Sequence, residues 1–239
     1  MIKSRERLEK HYLVKKKPFI GNKKTAVTLF KKQYMNTIDT IIFDLGGVLI
    51  DWNPEYVYLD EFNGDRQKMQ WFFDNICTSD WNENQDAGYP MDKATEERVA
   101  LFPEHEALIR MFYGRWVEML GEQIDGTVKI LKALKESNKY KVVALTNWSG
   151  ETFPIALDKF DFLQWFEGII VSGDEKTRKP FDEIYNLTLD RFNITVEKSI
   201  FIDDNLRNIE AANALGINGI QFKSPEQLIQ QLKNYNIHL

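Results

Sequence analysis

Five short apolar runs recur along the chain, at 40–44 (TIIFD), 141–146 (KVVALT), 168–172 (GIIVS), 199–203 (SIFID) and 217–222 (INGIQF). Runs of this length, apolar on both alternating faces, read as strands buried on two sides. From the second run onward, segments with apolar residues three and four apart separate them, at about 151–161, 181–192, 205–214 and 225–234. That spacing is helical. The segment 125–137 places apolar residues at 128, 130, 131, 133 and 134, a helix face leading into the second strand. Ser224 and Pro225 supply an N-cap and a first-turn proline for the last helix. Strands alternating with helices predict an α/β fold, a doubly wound Rossmann-like parallel sheet covered on both faces.

The alternation breaks between the first two runs. Residues 54–120 carry helical stretches such as DRQKMQWFFDNIC and EHEALIRMFYGRWVEML and no strand pattern. The expected organisation is a core of 37–53 and 121–239, an inserted helical cap at 54–120, and a basic N-terminal extension at 1–36. An insertion after the first strand stands over the carboxyl edge of the sheet, where open α/β folds bind ligands.

Composition narrows the setting. The single cysteine, Cys77, rules out an intramolecular disulfide and a zinc site of several cysteines. It points to a reducing compartment, so a cytoplasmic location is expected. No 18-residue window is apolar and uncharged, so no membrane partner is expected. Net charge is −5, unevenly spread: residues 1–36 hold 11 Lys and Arg against two acids, and the rest holds 20 against 34. A basic arm of this kind can attract nucleic acid. It reads more simply as a solvated leader, and no nucleic-acid partner is expected.

Chemistry concentrates at the strand ends. Asp44 follows TIIF, Thr146 and Asn147 follow VVAL, Lys179 lies in the loop after GIIVSG, and Asp203 and Asp204 follow SIFI. In a parallel sheet all of these meet at one edge. Carboxylate oxygens there suit magnesium, while an ammonium, a hydroxyl and backbone N–H groups suit phosphate. Taken singly, each residue also serves as an ordinary turn or helix cap; four such coincidences in one order are improbable.

The segments FDLGGVLID, LTNWS, SGDEKTRKP and FIDDN, in that order, resemble the four motifs of the haloacid dehalogenase-like hydrolases, over roughly 38–235. The DLGGVLID form is similar to a phosphatase subgroup acting on small phosphorylated metabolites such as sugar phosphates. The resemblance implies that Asp44 is a nucleophile forming an aspartyl-phosphate. It implies that Thr146, Asn147 and Lys179, with the N–H groups of Leu45 and Gly46, bind the phosphoryl group. Asp44, Asp203, Asp204 and the backbone carbonyl of Gly46 are implied to hold Mg2+.

Gly46 departs from that pattern. Most phosphatases of the family carry a second Asp there, acting as general acid and then base, help worth about 10² to 10⁴ in rate. Three outcomes follow: a phosphatase relying on water or a reactive leaving group, a metal-free 2-haloacid dehalogenase, or an impaired enzyme. A non-enzymatic relative that binds a phosphorylated ligand is a further alternative. A halide leaves without a proton, but adjacent Asp203 and Asp204 beside Asp44 repel one another without a cation. The phosphatase is therefore the expectation. Asp51, seven residues past Asp44, is a candidate substitute acid but is read chiefly as a turn residue. In the stretch 78–90, Trp81, Gln85 and Asp86 are candidates to reach a substrate, and Trp148 to wall its pocket, although aromatics more often pack in a core or lid. The three histidines give no Ser–His–acid set, and no Walker or dinucleotide glycine loop occurs.

Overall fold

The structure, a computed structural model, describes residues 37–239, so the basic extension lies outside the described residues. Five strands form a parallel sheet, running across it in the order Ile169–Val171, Lys141–Thr146, Thr40–Phe43, Ser199–Asp203 and Asn218–Gln221. They are β1 (Thr40–Phe43), β4 (Lys141–Thr146), β5 (Ile169–Val171), β6 (Ser199–Asp203) and β7 (Asn218–Gln221). All five coincide with the apolar runs. Successive strand residues face opposite sides of a sheet, and here both sides are buried. Ile41, Phe43, Val142, Ala144, Ile200 and Ile202 enter one core cluster. Ile42, Val143, Leu145 and Phe201 enter the other.

The helices Asp125–Glu136, Phe153–Lys159, Asp182–Arg191, Leu206–Ala214 and Pro225–Lys233 connect the strands or follow the last one. Ser224 Oγ accepts the Gln227 N–H at 3.2 Å, capping the last of these helices. No helix among the described residues is long and apolar enough to cross a membrane.

Between β1 and β4 the chain departs into the helices Glu55–Glu61, Arg66–Asn75, Ser79–Asp86, Met91–Leu101, Glu106–Gly114 and Trp116–Met119. These share a core of their own, built on Val57, Tyr58, Phe72, Ile76, Trp81 and Phe112. Chain entry and exit are tied by a two-stranded antiparallel ribbon, β2 (Ile50–Trp52) with β3 (Leu120–Gln123). The sequence pattern does not announce this ribbon. Its strands are three and four residues long and partly polar, too short to show a period of two.

Candidate active site

Register decides which side chains meet. Phe43 pairs with Ala144 on one side and with Ile202 on the other. One residue further on, Asp44 therefore lies level with the ends of β4 and β6, and its N–H donates to the Ile202 carbonyl at 2.8 Å. Thr146 and Asp203 end those strands.

Lys179 is the centre of the cluster. Its side chain has no exposure, and its Nζ lies 2.9 Å from Asp44 Oδ2 and 2.7 Å from Asp203 Oδ2. A third donation goes to the Leu145 carbonyl at 3.1 Å. A fully buried ammonium is costly unless paired and hydrogen-bonded. Burial alone would lower its pKa; Asp203 and Asp44 outweigh that and raise it.

Asp203 is held from several sides. Asn205 N–H donates to Oδ1 at 2.8 Å, and Asn208 Nδ2 lies 3.1 and 3.0 Å from the two oxygens. Asn208 joins the site through the helix after Asp204, a role visible only in three dimensions. Asp44 is less well compensated. Burial pushes its carboxyl up to about 8, Lys179 pulls it down, and Asp203 and Asp204 push it up again. Burial, then Asp203, likewise raises Asp204. One carboxylate oxygen from each of Asp44, Asp203 and Asp204 lies within 4.8 Å of the other two. Three hard oxygen donors this close, short of positive charge, fit a divalent cation.

The glycines have separate tasks. Gly47 adopts φ +71°, and a Cβ there would come 2.5 Å from Asp204 Oδ2. Glycine supplies both the left-handed turn and the space for that carboxylate. A Cβ on Gly46 would meet nothing within 4 Å. The missing side chain at 46 is thus no steric requirement of the turn.

The phosphate-side residues divide. Thr146 is 1% exposed, and its Oγ1 has no hydrogen-bond partner. A buried hydroxyl left unsatisfied calls for a ligand or a water. The Asn147 side chain is already committed. Nδ2 donates to the Lys179 carbonyl at 3.0 Å, and Oδ1 accepts the Lys179 N–H at 2.8 Å. This two-bond clamp positions the lysine and leaves only the Asn147 backbone for a ligand. Leu45 N–H is turned inward to Asp44 Oδ1 at 2.7 Å. Gly46 N–H donates to no acceptor among the described residues.

Three residues considered beyond the four motifs are structural. Asp51 accepts from the Tyr56 hydroxyl and packs over Gly121 of the ribbon. Trp148 is buried between Trp116 and Phe153, at ring separations of 5.6 and 5.7 Å, and its Nε1 donates to Thr152. Trp81 packs on Phe112 and Tyr113 inside the helical insertion.

A family model described as haloacid dehalogenase-like hydrolase matches residues 38–216. The chain belongs to that family. This hydrolase is 24% identical over 201 residues to a phosphorylated carbohydrates phosphatase of Thermotoga maritima, covering 77% of this chain and 84% of that one. It is 31% identical over 106 residues to the drimenol cyclase drtB of Aspergillus calidoustus; the match covers 44% of this chain but only 20% of that longer protein. Among solved structures, a family enzyme from Bacteroides thetaiotaomicron in a magnesium complex superposes with a TM-score of 0.64 at 22% identity. That match covers 83% of this chain and 100% of the other. At that identity the likeness shows the shared fold.

Proposed function

We propose that this hydrolase is a magnesium-dependent phosphatase acting on a small phosphomonoester, a sugar phosphate or similar metabolite. The reaction passes through an aspartyl-phosphate on Asp44. The observation that carries the reading is the pairing of three carboxylates within 4.8 Å with a fully buried lysine between two of them and the unpartnered Thr146 hydroxyl beside them. The Thermotoga relative, named as a phosphatase of phosphorylated carbohydrates, supports the substrate class.

Asp44 Oδ2 attacks the phosphorus, and the bond to the leaving oxygen breaks. Lys179 Nζ, already against that carboxylate, and Thr146 Oγ1 hold the phosphoryl oxygens, joined by the free N–H of Gly46. Asp44, Asp203 and Asp204, with the Gly46 carbonyl, would hold the magnesium ion, which supplies positive charge to the transferring group. Positioning and charge neutralisation do most of the work in such a transfer. The helical insertion of 54–120 acts as a cap over the cleft and carries specificity.

The dehalogenase reading fits the structure less well, because it gives the three acids no cation. Phosphate release from 4-nitrophenyl phosphate with and without magnesium tests the proposal, followed by a panel of phosphorylated metabolites. Magnesium-dependent release supports it. Halide release from a 2-haloacid without metal, with no phosphate release, would overturn it.

A further inference from the structure

Gly46 offers no proton donor beside Asp44, and the helical insertion carries a carboxyl, Asp86, on a helix end that docks on the core. The helix Ser79–Asp86 is polar, buries only Trp81 and Gln85, and ends against the core. Ser172 Oγ donates to the Asp86 carbonyl and accepts the Trp148 N–H at 2.9 Å, docking the helix end on the turn after β4. Glu83 of the same helix pairs with Arg178 at 2.8 Å and with Arg207. Arg178 precedes Lys179, and Arg207 follows the Asp203–Asp204–Asn205 loop, so Glu83 ties the helix to both segments that carry site residues. The Asp86 carboxyl receives Asn82 Nδ2 at 3.1 Å. Through Ser172 the Asp86 backbone is thereby held to the turn that follows Thr146, whose hydroxyl has no partner.

Resting on the phosphatase reading above, we propose that Asp86 takes the place of the acid missing at Gly46, giving a proton to the leaving oxygen and taking one from the water. In the first half-reaction an Asp44 oxygen bonds to phosphorus and the bond to the leaving oxygen breaks. That oxygen's electron pair takes the Asp86 proton, and a neutral alcohol departs. In the second, the Asp86 carboxylate takes a proton from water as the water oxygen bonds to phosphorus. The bond to Asp44 then breaks, returning Asp44 as carboxylate, Asp86 as acid, and inorganic phosphate.

The surroundings suit both roles. Burial and then Glu83 push the Asp86 carboxyl up to about 7, against Arg178, Lys179 and the Ser149 N–H. The Tyr113 hydroxyl, packed nearby on Glu106–Gly114, is raised in turn by burial and by Asp86, with Glu151 adding to it. A group poised near neutrality has both protonation states available, as acid-then-base work requires.

The test compares kcat/KM, which reports transfer to Asp44, for 4-nitrophenyl phosphate and for a simple alkyl phosphate. Asp86→Asn is expected to lower it at least about 10²-fold more for the alkyl ester, whose leaving oxygen needs the proton. It should also abolish the wild-type decline of the alkyl kcat/KM above about pH 7. Asp86→Glu, with an unchanged melting temperature, should recover part of the loss. An equal loss on both esters, or none, overturns the Asp86 assignment and leaves the phosphatase reading standing. A wild-type protein that hydrolyses neither ester sinks both.

Discussion

Lys179 Nζ stands 2.7 Å from Asp203 Oδ2 and 2.9 Å from Asp44 Oδ2, with no solvent at the ammonium. One cation thus ties the end of β1 to the end of β6. The contact is structural as well as chemical, because both carboxylates are buried and Lys179 alone forms a salt bridge with them among the described residues. Removing one member of a buried pair leaves an uncompensated charge, at a cost of about 3–5 kcal/mol. Lys179→Met should lose about that much in urea unfolding without metal, and lose turnover as well. A change below about 1 kcal/mol would mean that the pair does not hold the edge together.

The acids Asp44, Asp203 and Asp204 converge without enough positive charge. A ligand bound only by the native state stabilises by mass action, about 2.7 kcal/mol at a hundredfold excess over Kd. Magnesium should therefore raise the melting temperature by several degrees, and Asp204→Asn should remove most of the rise. Equal shifts in both proteins would place the metal elsewhere.

Open space around a Cβ at Gly46 makes the turn a place where an acid can be added. Gly46→Asp is expected to fold normally. In the background of Asp86→Asn it should restore alkyl phosphate hydrolysis at least about tenfold, since either carboxyl can supply the proton. No rescue in a well-folded double variant would show that a proton donor at 46 has no access to the leaving oxygen.

Asp44, Thr146, Lys179, Asp203 and Asp204 were legible because each follows an apolar run whose burial is a local property of the chain. Parallel pairing then delivers their side chains to one edge. The five strands and the helices between them carry the same kind of signal, dense and periodic. The helix Ser79–Asp86 does not: only Trp81 and Gln85 of its residues are buried, a single i,i+4 pair in a polar stretch. Its one sequence mark is Thr78, whose hydroxyl accepts the Trp81 N–H at 3.2 Å. The side-chain role of Asn147 escaped for another reason. Its clamp on Lys179 joins β4 to a loop far away in sequence, and nothing in LTNWS distinguishes an amide bound to backbone from one facing phosphate.

Whether Asp44 is the nucleophile that accepts the phosphoryl group in a magnesium-dependent phosphatase is decided by one comparison. Phosphate release from 4-nitrophenyl phosphate with magnesium would be measured for the wild-type protein and for Asp44→Asn, each shown to be folded by circular dichroism. Turnover is expected in the first and loss of at least about 10³-fold in the second, since Asp44 is the group assigned the covalent step. Substantial phosphate release by folded Asp44→Asn would contradict that assignment.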